Sequence, residues 1–319
     1  MLLVVRMFRR LIRLLMTQRP RLSAPESLVR ALLLVPVFGT LLVLLRLRAM
    51  ILGPLRLEAV TRDGLRFRCA LPDLIQMYLA LFGVWEPDLT SFIESRLREG
   101  DGFIDVGANV GWFSIIAAKR VGETGQVVAL EPSGAIHSAL ISNAKSNGVE
   151  GRIRAVRAAA SDEQGMFMLH VGPAWNVGLS SVVARKGLRA EAAVAGAPLG
   201  ELLDADEISR ARIIKIDVEG GEDRVLRGMI GLLPRLRVDA EIVVELSPRW
   251  WPDVRQTPAE VLRRFTEAGF HVYEVANNYW PWRYLWPNRV SRPRRFRGRL
   301  DQRVRRLDLV LSRIDADAL

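Results

Sequence analysis

FIDVGANVGW, residues 103–112, reads as a buried strand that turns sharply into a helix. The apolar run reaches Asp105 and Val106, glycines at 107 and 111 bracket a tight turn, and Trp112–Lys119 continues with helical spacing. Glycines at such a turn let the backbone pass close to a ligand at the carboxyl edge of a sheet, where open α/β sheets bind their cofactors.

Outward from this turn, from about residue 85, short apolar runs alternate with helical stretches, as βαβ units require. The spacing predicts strands at Gly102–Val106, Gln126–Leu130, Ile153–Arg157, Ile213–Asp217, Ile242–Glu245, Phe270–Val275 and Leu307–Ser312. Helices are predicted between them at Trp112–Lys119, Ala135–Ser146, Gly221–Gly231 and Pro258–Ala268, with Gly269 as a C-cap. The fold class is α/β, a doubly wound sheet. Residues 158–183 read as an extra β excursion with turns at Gln164-Gly165 and Gly172-Pro173, and residues 276–306 as a long connection rich in Trp and Arg. Loops of that length are uncommon and usually functional or mobile.

The turn discriminates between cofactors. A dinucleotide site needs Gly-x-Gly-x-x-Gly, but Asn109 and Trp112 stand where the second and third glycines belong, so a pyrophosphate cannot approach and the helix cannot pack close to the strand. An NAD-dependent oxidoreductase or epimerase is disfavoured on this ground. Asp105, opening the turn, suits a cationic ligand better than a diphosphate. The next strand ends in Glu131-Pro132, and a carboxylate there accepts hydrogen bonds from both hydroxyls of a ribose. A ribose to hold, no phosphate to cradle and a positive methionine end near Asp105 favour S-adenosylmethionine.

Composition bounds the rest. Half of the 319 residues are apolar and a quarter charged, which excludes a disordered chain. Cys69, the single cysteine, forms no internal disulfide, no Cys/His cluster offers a structural zinc site, and the chain reads as one built in a reducing, cytoplasmic compartment. The net charge of +11 is uneven: residues 1–52 carry nine Arg against one acid, and residues 283–313 carry eleven Arg against two Asp. The body between is mildly acidic, so an anionic surface meets the ends of the chain and nucleic acid is a disfavoured partner.

FIDVGANVGWFSIIAA, VVALEPSGAIHSALISNAKSNG, AAASDEQG, NVGLSS and IIKIDVEGGEDRVLRGM, in this order over roughly residues 100–247, resemble the successive motifs of the FkbM family of S-adenosylmethionine-dependent methyltransferases. The resemblance implies a class I methyltransferase, a Rossmann-like, mostly parallel seven-stranded sheet with helices on both faces and an antiparallel last strand. It implies that Asp105, Gly107, Asn109, Gly111 and Glu131 bind the cofactor and that Asp162 lies near the adenine amino group. It also implies an O-methyltransferase whose acceptor is a small molecule, sugar or glycan.

The point of methyl transfer is expected at the end of the fourth strand, Lys215-Ile216-Asp217-Val218-Glu219-Gly220-Gly221-Glu222. Strand alternation sends Lys215, Asp217 and Glu219 to one side. Ionisable groups there either pair or do chemistry: Asp217 or Glu219 acts as general base or orients an acceptor hydroxyl, with Lys215 tuning them, or the three merely fix the loop. A magnesium site from Asp217, Glu219 and Glu245 is conceivable, but nothing in the spacing demands a metal. His271 is expected in a strand near the acceptor side, and Asn176 and Ser180 near cofactor or acceptor.

The chain organises as a basic N-terminal extension, 1–52, a lead-in, 53–99, and a catalytic domain, 100–319, with the insertion 276–306. On a helix, Arg6, Arg9, Arg10 and Arg13 share one face and Val4, Phe8, Leu11 and Leu15 the other, the pattern of a helix lying in a membrane interface. Residues 31–45 are uncharged but short for a span and contain Pro36 and Gly39, so a re-entrant or surface-embedded segment is expected. Pro20, Arg21 and Glu26 stand where a secretory signal would be cleaved. The insertion's Tyr279, Trp280, Trp282, Tyr284 and Trp286, followed by arginines to Arg299, read as an acceptor lid, a membrane belt, a packed loop or, least favoured, a surface for single-stranded RNA. The expected location is cytoplasmic, peripheral on the inner face of the membrane. The rival outside enzymology is an inactive membrane-associated scaffold that keeps the fold.

Overall fold

The computed structural model describes residues 1–17, 23–173, 176, 179–253, 255–301 and 304–319. Pro20 and Arg21, and Val177 and Gly178 of the NVGLSS motif, lie outside the described residues. The chain divides into two compact units: Met1–Ser91 with Pro173–Gly178 and Asn277–Ser291, and Phe92–Gly172 with Leu179–Ala276 and Arg292–Leu319. Residues 53–91 of the lead-in and the aromatic part of the insertion therefore belong with the N-terminal extension, and residues 92–99 and the insertion from Arg292 onward with the larger unit.

In the first unit, helices α1 (Leu2–Leu15) and α2 (Ala24–Leu52) precede a hairpin of β1 (Leu55–Val60) and β2 (Arg66–Leu71) and helix α3 (Leu74–Phe82). Ser23 caps α2 by accepting the Glu26 N–H. The apolar stretch 31–45 is part of a longer element: α2 runs through Pro36 and Gly39 as one helix of 29 residues, long and apolar enough by length and composition to cross a membrane. Proline removes one helical hydrogen bond, but the line Leu34, Phe38, Leu41, Leu45 and Ala49 is buried and holds the helix on both sides of it. Helix α1 departs from expectation. Arg9 does not join the exposed arginines, because its Nη2 donates to the Val60 carbonyl at 2.6 Å and it shares the inward face with the buried Val5 and Ile12. Arg6, Arg10 and Arg13 remain exposed beside Leu3, Met7 and Leu14.

The core of this unit is aromatic. Tyr78 lies 4.5 Å from Tyr284 and 5.5 Å from Trp85, and Tyr279 stacks on Trp85 at 5.0 Å, measured between ring centres. Arg283 is bound to Asp88 at 2.6 Å. Tyr279 and Tyr284 are thus packing residues, which removes them from any lid, whereas Trp280 is 60% exposed and stacks on Trp282.

In the larger unit, which takes up the end of α4 (Pro87–Arg96), the chain runs β3 (Gly102–Val106), α5 (Trp112–Arg120), β4 (Gln126–Leu130), α6 (Gly134–Ser146), β5 (Ile153–Val156) and β6 (Ala159–Ala160). Then follow β7 (Gly165–Val171), β8 (Ser180–Ser181), β9 (Arg189–Ala197), α7 (Leu199–Leu202), α8 (Ala205–Arg210), β10 (Ala211–Ile216), α9 (Glu222–Gly228), β11 (Glu241–Leu246), α10 (Pro258–Glu267), β12 (His271–Glu274), β13 (Arg294–Arg295) and β14 (Leu307–Ser312). The main sheet has the order β13-β12-β14-β11-β10-β3-β4-β5. Strands β11, β10, β3, β4 and β5 are parallel, and β14 is antiparallel to both β11 and β12. These are the seven strands expected, with two-residue β13 added at one edge.

Alternation divides the sheet into two faces. Ile104, Val106, Ile214, Ile216, Ile242 and Val244 form one core with Val225 and Leu226 of α9 and Val261, Leu262 and Phe265 of α10. The opposite face carries α5, whose residues Trp112–Ala118 are all buried. The excursion is larger than 158–183. It builds a second sheet, β6-β9-β7-β8, whose strand β9 lies beyond the expected limit. RAEAAVAGA is rich in alanine, a poor strand signal, and its cross-strand partners decide its conformation.

Candidate active site

The turn after β3 and the loop after β10 interlock at the carboxyl edge of the sheet. Gly107 has φ +81°, and a Cβ there would stand 1.8 Å from the Asp217 carbonyl oxygen, so only glycine fits. The Asp217 N–H in turn donates to the Val106 carbonyl at 2.9 Å. Asn109 and Gly111 also take positive φ, and the Asn109 side chain accepts the Val110 N–H at 2.8 Å. This curls the turn so that the Asn109 N–H donates to Glu131 Oε2 at 3.0 Å, while the Ser133 N–H donates to Oε1 at 2.9 Å. Four of the predicted cofactor residues, Gly107, Asn109, Gly111 and Glu131, thus form one hydrogen-bonded cradle.

Asp105 lies beneath it. The in-register parallel pairing of β3 with β10 places Asp105 beside Lys215, so their side chains share the α5 face. Asp105 Oδ2 accepts the Ser114 hydroxyl at 2.6 Å, and Oδ1 lies 3.7 Å from Lys215 Nζ. Lys215 also donates to Asp217 at 3.1 Å and sits 5.0 Å from the Phe113 ring centre. Asp162 is held at 3.0 Å from Arg227, which also binds Asp223 at 2.9 Å.

Strand β10 ends at Ile216, so simple alternation does not carry through to Glu219. Glu219 is instead placed by a left-handed residue conformation, φ +57°, and by the Ser181 hydroxyl, which donates to its carbonyl at 2.8 Å. Its carboxylate lies 3.6 Å from Arg185. Glu222 is fully buried and accepts the Gly220 N–H at 2.5 Å and the Trp251 indole N–H at 2.8 Å.

Sequence reasoning did not select Glu222, Trp251, Ser181 or Arg185. Glu222 looks like an ordinary acid in the first turn of a helix, and its partner Trp251 lies a strand and a loop away. In NVGLSS the hydroxyl that reaches the Glu219 carbonyl is that of Ser181. His271 is corrected outright: it opens β12, which places it at the amino edge of the parallel strands, opposite the site, and its Nδ1 lies 2.9 Å from Arg295. Glu245 faces Arg306 at 3.9 Å, and among the described residues no group of three His, Cys, Asp or Glu is arranged to hold a metal.

Burial dominates the electrostatics. It pushes Glu131, Glu219 and Glu222 each up to about 7, against the opposing pull of backbone N–H donors on Glu131 and Glu222. It also raises Asp105 above the usual carboxylate range, although Lys215 pulls it down. A carboxyl whose folded value exceeds its unfolded one adds stability below the unfolded value, and that stability is lost as pH rises through the folded one. The protein without cofactor is therefore expected to melt at a higher temperature at pH 5.5 than at pH 8, read by calorimetry. A melting temperature that climbs over that interval contradicts the assignment of these carboxyls as buried.

The site fits S-adenosylmethionine on its own chemistry. Each Glu131 oxygen accepts one backbone N–H and retains a second lone pair, which leaves capacity for two ribose hydroxyls. Residues 105–112 contain no Lys or Arg for a diphosphate, and Asp105 Oδ1 has no hydrogen-bond donor among the described residues.

A sheet of this order with a nucleoside cradle at its switch point defines a class I S-adenosylmethionine-dependent methyltransferase domain. The family model described as Methyltransferase FkbM domain matches residues 105–272. The chain belongs to the FkbM methyltransferase family, and its cofactor is S-adenosylmethionine. Hexuronic acid methyltransferase AglP of Haloferax volcanii is 27% identical over 165 residues, covering 51% of this chain and 65% of that protein. The 31-O-demethyl-FK506 methyltransferase FkbM of Streptomyces tacrolimicus is 32% identical over 197 residues, covering 52% of this chain and 67% of that one. Among solved structures, methyltransferase FkbM from Methylobacillus flagellatus KT aligns with a TM-score of 0.37 at 11% identity, covering 75% of this chain and 52% of that one.

Proposed function

We propose that the protein transfers a methyl group from S-adenosylmethionine to a hydroxyl oxygen of a small molecule, sugar or glycan, at a membrane surface. The observation that carries this reading is the half-buried Glu219, raised to about 7 and set on a loop locked to the cofactor turn through Gly107 and Asp217. Bound S-adenosylmethionine supplies a methyl group on a sulfonium, which an oxygen nucleophile displaces. Methyl displacement needs alignment and, for a hydroxyl, a proton acceptor. Glu219 takes that proton. Asp217, held by Lys215 at 3.1 Å, orients the acceptor hydroxyl, and Asp105 and Phe113 keep Lys215 in place. Two relatives, one a hexuronic acid methyltransferase and the other a 31-O-demethyl-FK506 methyltransferase, support an oxygen in an oxygen-rich acceptor.

Calorimetry of the whole chain with S-adenosylmethionine, S-adenosylhomocysteine and NAD tests the cofactor half of this proposal. Binding of the first two alone is expected, and binding of NAD overturns it. Transfer of labelled methyl to a glycan or small-molecule hydroxyl tests the other half.

The membrane half rests on the first unit. Leu28, Leu32, Val35, Val43, Leu47 and Ile51 of α2 are each more than half exposed, a continuous apolar stripe of the kind that marks an interaction surface. Arg6, Arg10 and Arg13 of α1, with exposed Trp280, supply the groups that meet lipid headgroups. Arginines near an anionic membrane contribute about 1 kcal/mol each. Replacing these three by Gln is expected to weaken partitioning onto phosphatidylglycerol-containing vesicles on the order of 100-fold, measured by co-sedimentation. Unchanged sedimentation removes α1 from the interface. The single free cysteine and the basic ends agree with a cytoplasmic inner-face location.

A further inference from the structure

Beside Glu219 the larger unit opens a cleft of about 590 Å³, lined by Arg185, Lys186, Arg249, Trp250, Trp251 and apolar neighbours, with no carboxylate among the described residues of its lining. Its cations are arranged rather than scattered. The Arg185 guanidinium carbon lies 3.9 Å from the Trp250 ring centre and that of Arg249 lies 4.4 Å from the same ring, so one indole braces both guanidiniums. The Arg185 side chain is only 11% exposed, yet its Nε and one terminal nitrogen have no hydrogen-bond acceptor among the described residues. Glu219, at 3.6 Å, stands beyond hydrogen-bond reach, and its own Oε2 is equally without a donor. A buried guanidinium with open donors is costly unless something completes it. Burial drives its pKa below the ordinary arginine value, against the pull of Glu219.

The ligand that matches is an oxyanion. The fork of an arginine accepts a carboxylate or phosphate in two parallel hydrogen bonds, and the second cation and the indole edge supply charge and a face for a ring. We propose that the methyl acceptor is anionic, carrying a carboxylate or a phosphate that Arg185 and Arg249 anchor while its hydroxyl is presented to Glu219. This inference rests on the transfer reading above. It adds that Arg185 selects the acceptor, and it explains why an arginine is buried next to the proton acceptor. Charge neutralisation by the anion also frees Glu219 from the arginine that lies 3.6 Å from it, leaving it basic enough to take a proton.

Binding to the full chain saturated with S-adenosylhomocysteine tests this, with D-glucuronate, D-glucose 1-phosphate and neutral D-glucose as probes, read by saturation-transfer NMR titration. At least one anion is expected to bind ten-fold or more tightly than glucose. Preference for glucuronate identifies a carboxylate acceptor, preference for the phosphate a phosphorylated one, and equal binding of both a general oxyanion site. Arg185→Gln is expected to abolish the preference, Arg185→Lys to keep part of it, and both to leave S-adenosylhomocysteine affinity unchanged. Arg249→Gln, at an exposed position, supplies a variant that folds should Arg185→Gln not. Glucose binding as well as either anion, neither anion binding up to 50 mM, or a preference that survives both Gln variants overturns the proposal. Because S-adenosylhomocysteine binding is read in the same samples, loss of the cofactor site is seen separately from loss of anion selection.

Discussion

Replacing Glu219 by Gln is expected to lower kcat for methyl transfer by about 100- to 10,000-fold, the usual contribution of a general base, with S-adenosylhomocysteine affinity unchanged. The amide matches the carboxylate in size, so the loop that Ser181 fixes through its carbonyl at 2.8 Å stays as it is. What disappears is the proton acceptor. Burial pushes Glu219 up to about 7, and only its ionised form takes a proton. The wild-type kcat/KM should therefore rise with pH and level off above about pH 7, and this inflection should vanish in the Gln variant. Asp217→Asn serves as the comparison. Asp217 is neutralised by Lys215 at 3.1 Å, so its loss disturbs orientation and should cost less, with the inflection retained. If the Asn variant rather than the Gln variant erases the inflection, Asp217 is the base and Glu219 is not.

The strand positions and the turn that forms the cradle were legible because both are local. The turn 105–111, its glycines and the carboxylate closing β4 lie within short, strongly patterned segments, and the seven strands fall within one or two residues of their expected bounds. What was not legible is long-range. Lys215 meets Asp105 only because β10 pairs in register with β3, and nothing in either strand alone specifies that register. Arg185 reaches Glu219 through a second sheet whose key strand, β9, is alanine-rich. The length of helix α2 was not legible either, because Pro36 and Gly39 are local signals, whereas burial of Leu34, Phe38 and Leu41 on one side comes from distant partners. In the aromatic insertion the packed-loop reading holds for Tyr279 and Tyr284, and it too depends on distant partners. Tyr279 and Tyr284 look like a recognition surface in sequence, but Tyr284 is wholly buried against Tyr78 and Trp85.

Glu131→Gln tests the cradle itself. A hydrogen bond to a charged group is worth about 1.5–3 kcal/mol, so two ribose hydroxyls on one carboxylate amount to roughly 100- to 10,000-fold in affinity. Gln also brings its NH₂ against one of two backbone donors, Asn109 N–H or Ser133 N–H, which Glu131 now accepts at 3.0 and 2.9 Å. The expected result is loss of S-adenosylhomocysteine binding by that factor in calorimetry, and an affinity within three-fold of wild type would remove Glu131 from the site. The pH dependence sharpens the test because two properties of one group have opposite signs. Burial raises Glu131 to about 7, so folding without cofactor is favoured as pH falls through 7. Cofactor affinity is favoured as pH rises through the same value, since the ionised carboxylate is the stronger acceptor. The wild type should therefore hold S-adenosylhomocysteine more tightly at pH 8 than at pH 6 while being less stable without it, and Glu131→Gln should reduce both trends together.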